Sequence, residues 1–205
     1  MLQDIKNLIK NKNVILFGEF HGTKEIPEML SQFFSEMAKD ENFNMCLEIP
    51  EEFQNLEPDK ILSHAKEADT SGLISKEYIK LLKDIPRNIK VFFIAPNFIK
   101  NQEDVENGLA NNILKILDDK KTFVILGNIH ASKTPINLGN FKFITAGTIL
   151  NQELKNKLFS INISPKKGKF YNFGVKEIKD SDDINFNKGF DYVLRIDRVS
   201  PCSLL

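Results

Sequence analysis

Five short apolar runs, each stopped by a glycine, a proline or a polar residue, set the framework of the chain. They are Val14 to Phe17, Asn44 to Pro50, Val91 to Ala95, Thr122 to Leu126 and Leu158 to Ile163. Runs this short, bounded by turn residues, predict strands buried on both faces, as in a parallel sheet. Between them apolar residues recur at helical spacing. Leu2, Ile5, Leu8 and Ile9 make a short helical stretch before the first strand. Leu30, Phe33, Phe34 and Met37 share one face of a helix predicted from Glu25 to Ala38. Pro27 suits only a first turn there, and the acidic residues around it favour the positive end of a helix. Helical patterns also cover Pro58 to Ala68 and Ser75 to Lys83, parted by the turn-like Asp69-Thr70-Ser71-Gly72. Two more run from Glu103 to Leu117 and from Ala146 to Lys157. The last forty residues are less regular, with a weaker strand at Tyr192 to Ile196. Strands alternating with helices predict a single α/β domain over residues 1–205, with a mostly parallel central sheet flanked by helices on both faces.

Three of these strands end in polar residues that a core would reject. The first runs into Gly18-Glu19-Phe20-His21-Gly22-Thr23, where two glycines let the chain turn sharply. The second ends in Glu48-Ile49-Pro50, and because Pro50 cannot donate to a ladder, pairing is expected to stop near Glu48. The fourth continues into Gly127-Asn128-Ile129-His130. Ligands of open α/β sheets bind along the carboxyl edge of the strands. Glu19, His21, Glu48 and His130 are therefore expected in one crevice, with Asn128 beside them as a ligand-orienting residue. Each also has an ordinary reading: a loop hydrogen bond for Glu19 and His21, a helix cap or lysine partner for Glu48, turn chemistry for His130 and Asn128. Their shared position after buried strands is what singles them out.

Two carboxylates in a partly dry cleft need compensation, because desolvating each costs several kcal/mol. In one arrangement the histidines are protonated and the set neutralises itself, giving a general acid and base near neutral pH. In the other, neutral His21 and His130 bind a divalent cation such as Zn²⁺ or Mn²⁺ with Glu19, Glu48 or both, leaving a position for a water to be ionised. The sequence leaves both open.

Composition narrows the partners. Lys plus Arg and Asp plus Glu stand at 28 each, for a formal net charge of zero. No basic stripe is visible, and the only arginines are Arg87, Arg195 and Arg198, which counts against a nucleic-acid partner. Cys46 and Cys202 are too few and too distant for a disulfide framework, which points to a reducing compartment. Cys46 shares the strand face of Glu48 and reads as a small core residue. His64, among charged neighbours on a helix, reads as a surface residue. The amino terminus has no long apolar h-region or small-residue cleavage site, and no run approaches the length of a membrane span, so the expected location is cytoplasmic.

Gly18-Glu19-Phe20-His21-Gly22-Thr23, Glu48-Ile49-Pro50 and Gly127-Asn128-Ile129-His130-Ala131, in that order, resemble the erythromycin esterase / ChaN / TIKI superfamily. More narrowly, the first stretch is similar to a bacterial Gly-Glu-x-His-Gly-Thr-x-Glu-x-Pro opening, matched through Glu25 and Pro27. The resemblance covers roughly residues 13–163. It implies an α/β core with its cleft at the carboxyl ends of the strands. Erythromycin esterases hydrolyse a macrolactone with a Glu/His set, TIKI proteins are metal-dependent proteases, and ChaN binds haem. By resemblance, His21 is the water-activating base or a ligand, Glu19 and Glu48 are its partners, His130 is the second imidazole, and Glu25 joins the ligand-binding residues. The chain departs from the esterases in having no arginine between His21 and Glu48 and in being too short for the helices that form a macrolide pocket. It also lacks the exported-lipoprotein signal of a ChaN-like uptake protein. The expectation is a small hydrolase acting on a small-molecule or peptide substrate, with or without a metal. A haem or small-ligand binder, or a secreted effector with a vestigial cleft, are the alternatives.

Overall fold

All six residues of the strand Val14–Glu19 are buried, as the middle of a two-sided sheet requires. A computed structural model describes residues 2–68, 72–138, 141–178 and 184–204. Its elements, in order, are α1 (Leu2–Leu8), β1 (Val14–Glu19), α2 (Glu25–Met37), β2 (Phe43–Pro50), α3 (Pro58–Ala68), α4 (Lys76–Asp84), β3 (Lys90–Ala95), α5 (Gln102–Ile116), β4 (Lys121–Gly127) and α6 (Asn128–Ala131). Then follow β5 (Ile136–Leu138), β6 (Phe141–Phe143), α7 (Ala146–Leu154), β7 (Leu158–Pro165), β8 (Gly168–Tyr171), β9 (Val175–Ile178), α8 (Ile184–Asn187) and β10 (Tyr192–Ile196).

The central sheet has the order β10-β7-β1-β4-β2-β3, and every pairing in it is parallel. The insertion of β4 between β1 and β2 matters most for function. It sets the ends of these three strands side by side, with Glu19 opposite Gly127 in register. On one face α1, α2, α3 and α4 bury Ile5, Ile26, Leu30, Phe33, Phe34, Ile61 and Ile79. On the other, α5 and α7 bury Leu109, Ala110, Ile113, Ala146 and Leu150. The predicted α2 stripe of Leu30, Phe33, Phe34 and Met37 is the buried one. Its two phenylalanines join Phe17, Phe43 and Phe123 in an aromatic cluster with ring centroids as close as 4.9 Å. Most of these contacts are edge-to-face, the geometry that ring quadrupoles favour.

Helix starts follow their caps. Ser75 accepts from the Tyr78 N–H, Asn101 from Asp104 and Thr145 from Thr148, so α4 and α7 begin one residue after a Ser or Thr cap. The helix expected to run to Lys157 stops at Leu154 and passes into a tight 3₁₀ turn over Lys155–Lys157. In β2 the ladder to β4 is regular only to Leu47. The pairing with β3 shifts between Leu47 and Pro50, so Glu48 stands where regular pairing ends. Asp69, Thr70 and Ser71 of the expected turn lie outside the described residues. The region read as irregular contains the hairpin β8–β9, and β5–β6 forms another.

Gly22 anchors the hairpin β8–β9 and the C-terminal segment over the end of β1. Its carbonyl accepts from the Tyr171 and Cys202 N–H groups, at 2.9 and 2.8 Å. Its φ is +75°, and a Cβ there would lie 1.8 Å from the Tyr171 carbonyl oxygen, so only glycine fits. The Phe20 ring meets Phe170 edge-on across the same junction, at 5.7 Å. Among the described residues no helix is long and apolar enough to cross a membrane.

Phe123 touches four other rings and is fully buried. Phe123→Ala is expected to cost about 3–5 kcal/mol of stability, read from urea unfolding, because the cavity cannot collapse between sheet and helix.

Candidate functional site

Each histidine is held from behind by a buried glutamate. The His21 Nδ1–H donates to Glu19 Oε1 at 2.9 Å, and the His130 Nδ1–H donates to Glu106 Oε1 at 2.8 Å. Glu19 and Glu106 are each 1% exposed. With Nδ1 so engaged, both rings turn Nε2 towards one group, Glu48. His21 Nε2 lies 3.6 Å from Glu48 Oε2, and His130 Nε2 lies 3.5 Å from Glu48 Oε1. Glu48 Oε2 also accepts the Gly127 N–H at 2.7 Å, which ties the end of β2 to the end of β4. A Cβ on Gly127 would stand 2.9 Å from His21 Nε2, so the glycine leaves room for the ring.

The four residues expected in one crevice are thus in contact, joined by Glu106, which the sequence reading missed. Glu106 sits at mid-helix among Glu103 and Asp104, where a charge ordinarily faces solvent. A signal was present, because Glu106 shares the spacing of Leu109, Ala110 and Ile113 on the buried stripe of α5. Its Oε2 accepts the Ala146 N–H at the start of α7 at 2.7 Å, and Gln102 Nε2 donates to its Oε1 at the same distance. Tyr78, from α4, was also missed. Its hydroxyl is buried near Glu19 without a hydrogen bond, and burial together with the Glu19 charge pushes its pKa well up. Asn128 lines the cleft as expected. Glu25 does not: its Oε2 accepts the Ser200 N–H at 2.7 Å, so it fastens the C-terminal segment. His64 is exposed, with Nδ1 at 2.8 Å from the Lys60 carbonyl oxygen. Cys46 is buried, and burial raises its thiol pKa to about 12, which leaves it without thiolate character.

Burial disfavours charge on His21, but the hydrogen bonds and charges of Glu19 and Glu48 outweigh it and raise its pKa to about 10. The pKa of His130 is also raised: burial and the His21 charge oppose Glu48 and Glu106, and the carboxylates prevail. Burial pushes Glu48 up, yet the His130 and His21 charges and the Gly127 N–H hold it down at about 2. Glu19 and Glu48 thus favour the protonated form of His21, Glu48 and Glu106 that of His130, and the two rings in turn favour the anionic form of Glu48.

The four-residue metal set does not fit this geometry. The Nδ1 contacts place Glu19 behind His21, away from the side to which Nε2 points. Among the described residues no group of three or more His, Cys, Asp or Glu side chains is arranged to hold a metal ion. Haem ligation would draw on the same two Nε2 atoms, both of which face Glu48. The cleft opens into a cavity of about 520 Å³.

No protein-family model matches the chain, and no curated protein matches it. Solved structures do. A Bacillus cereus protein superposes with a TM-score of 0.69 at 14% identity, covering 100% of this chain and 93% of its own. A succinoglycan biosynthesis protein gives 0.64 at 12% identity, covering 100% and 92%. What is shared is the fold. ChaN of Campylobacter jejuni, described as binding haem cofacially, gives 0.48 at 15% identity over 79% and 85%, too slight a likeness to bear on this chain.

Two of the perturbed groups make stability depend on pH in opposite directions. His21, raised from 6.5 to about 10, contributes fully below pH 6.5 and loses that contribution as pH climbs through 10. Glu48, lowered from 4.5 to about 2, contributes fully above pH 4.5 and loses it as pH falls through 2. Denaturant unfolding across pH is expected to show their joint maximum between about 4.5 and 6.5. Glu19→Gln is expected to lower the His21 pKa by more than one unit, read from the imidazole C–H shifts in an NMR titration.

Proposed function

We propose that the cleft hydrolyses an uncharacterised small-molecule or peptide substrate by acid–base chemistry centred on Glu48, His21 and His130. The observation that carries this reading is the convergence on one carboxylate of two Glu-backed imidazoles that themselves line a cavity. Groups whose environments drive their pKa values apart sort themselves into base and acid. Glu48, kept anionic, takes a proton from the attacking water. His21 and His130, kept cationic, donate to the oxygen that gains charge and to the leaving group. Glu19 and Glu106 fix each ring and stabilise its cation, as the acid of a catalytic triad does for its histidine.

This assignment revises the role expected for His21. A base must be unprotonated, and two carboxylates at Nδ1 and Nε2 hold this ring in its protonated form. The water-accepting role therefore passes to Glu48. No step in this scheme requires a metal.

A panel of chromogenic esters, amides and phosphoesters tests the reading. Glu48→Gln and His21→Ala are each expected to lower kcat/KM by about 10²–10⁴-fold, the usual contribution of a positioned acid or base. Full turnover in both variants would overturn it. The pH profile of kcat/KM is expected to be flat from about 6 to 9 and to fall as His21 loses its proton near 10. An ascending limb centred near 6.5 would instead make an unperturbed histidine the base.

A further inference from the structure

Beyond the two histidines the cavity is walled by Asn128, Asn162, Asn187, Phe20, Phe170 and Phe186. None of its described lining residues is Lys or Arg, and its acidic members are Glu19 and the exposed Glu177. Among the described lining residues an anionic substrate group would meet as basic groups only the two imidazole rings, each already held between two of Glu19, Glu48 and Glu106. The wall offers amides and aromatic rings instead.

Asn162 is a member of this wall whose side chain has a buried polar atom without a hydrogen-bond partner. It stands near the carboxyl end of β7, opposite Gly18 of β1 and Val193 of β10, and is 2% exposed. Its Nδ2 donates to Asn187 Oδ1 at 2.9 Å, while its own Oδ1 has no partner. Turning both amides over would preserve the bond between them and exchange the unpaired acceptor for an unpaired donor. Either way one polar atom of a buried amide remains unsatisfied. Leaving such an atom unpaired is costly, and nearly all buried polar groups avoid that cost. A hydrophobic residue would suit this strand position better if packing were its only task. The unpaired atom belongs to a residue that lines the cavity, so a molecule bound there can complete it.

We propose that Asn162, steadied by Asn187, is a specificity-determining residue that receives an uncharged amide or hydroxyl group of the substrate, while Phe20, Phe170 and Phe186 pack its apolar part. The proposal rests on the hydrolytic reading for the word substrate, but the recognition it describes does not depend on turnover. An amide or hydroxyl brings both donor and acceptor capacity and so satisfies either setting of Asn162. A carboxylate or phosphate brings charge with nothing in this wall to meet it.

The test is binding, by ligand-observed NMR, of four probes sharing one ring: phenylacetamide, benzyl alcohol, phenylacetate and phenyl phosphate. It uses the wild-type protein and Glu48→Gln, so that turnover plays no part. Phenylacetamide or benzyl alcohol is expected to bind at least about tenfold more tightly than either anion, and the stronger of the two identifies the group as amide or hydroxyl. Asn162→Leu is expected to abolish that preference, weakening the neutral probe about tenfold, the equivalent of 1.4 kcal/mol. Asn187→Ala, in the four-residue α8, is the second variant should Asn162→Leu fold poorly, and it is expected to weaken the same probe. Equal or tighter binding of the anions would overturn the proposal, as would a preference unchanged in a folded Asn162→Leu or in Asn187→Ala. Selective binding without hydrolysis of any panel compound would sink the hydrolytic reading alone. Hydrolysis that favours phosphoesters would sink this one alone.

Discussion

The site depends on the compensation of buried negative charge. Three glutamates, two of them almost wholly buried, stand at the end of a sheet whose strands are otherwise apolar. Burying an unpaired carboxylate costs several kcal/mol, and truncating one partner of a buried pair is correspondingly harmful. Two protonated imidazoles placed between the three carboxylates meet that demand. Each bridges one glutamate behind it and Glu48 in front. The chain of contacts runs Glu19, His21, Glu48, His130, Glu106, and its middle member is the one that both rings share. The acids around the histidines favour their charged form, and that charge in turn offsets the burial of the acids.

The topology makes this possible at little cost to packing. Strand β4 enters between β1 and β2, so residues far apart in sequence emerge on adjacent strands. The tightest link is between backbone and side chain: the Gly127 N–H holds Glu48 where regular pairing of β2 ends. That N–H lies at the edge of the ladder, where it needs an acceptor, and the carboxylate supplies one. Behind His130, Glu106 caps α7 through Ala146, so one carboxylate both orients a ring and satisfies a helix terminus. Behind His21, Glu19 is covered by α4, whose Tyr78 brings a polar atom to a place where none was expected. Its hydroxyl sits within the electrostatic reach of Glu19 without closing a hydrogen bond.

The sheet and its helices were legible because their signals are local. Apolar runs ended at Gly18 and Pro50, and Leu30, Phe33, Phe34 and Met37 kept helical period, so the layers followed from pattern alone. The convergence of Glu19, His21, Glu48 and His130 was legible from the rule that parallel strands present their carboxyl ends together. Glu106 was hidden because a glutamate in a helix rich in acids reads as solvated unless its phase against Leu109 and Ile113 is checked. Glu25 misled for the opposite reason: it belongs to the motif, but a backbone N–H from residue 200 claims it, and no local pattern announces a contact across that separation. The charge state was illegible too. The charge that His21 favours turns on two carboxylates facing opposite nitrogens, and only the three-dimensional arrangement reveals that. The hairpin β8–β9 escaped because its strands are short and largely exposed, without the alternation that marks a half-buried sheet.

The division of labour along the chain explains why the fold alone says so little about activity. The charged cluster comes from β1, β2, α5 and the start of α6, all within the first 130 residues. Most of the uncharged wall beside it comes from β7 onwards, from Asn162 through Phe170 to Asn187. The first set is fixed by the sheet register and by mutual neutralisation, so any single change in it disturbs charge balance throughout. The second is carried by strand ends, a hairpin and a short helix, and its Asn162, Phe170 and Asn187 lie outside the buried apolar core. On a scaffold built this way the later segments can vary while the charged cluster is kept, so proteins with the same fold can serve different chemistries. The solved structures at 12–14% identity share the fold, and nothing in a shared fold constrains the identity of residues 162 or 187. The features peculiar to this cleft are therefore to be sought in that late wall, beside the tail and hairpin that Gly22 pins at the carboxyl end of β1.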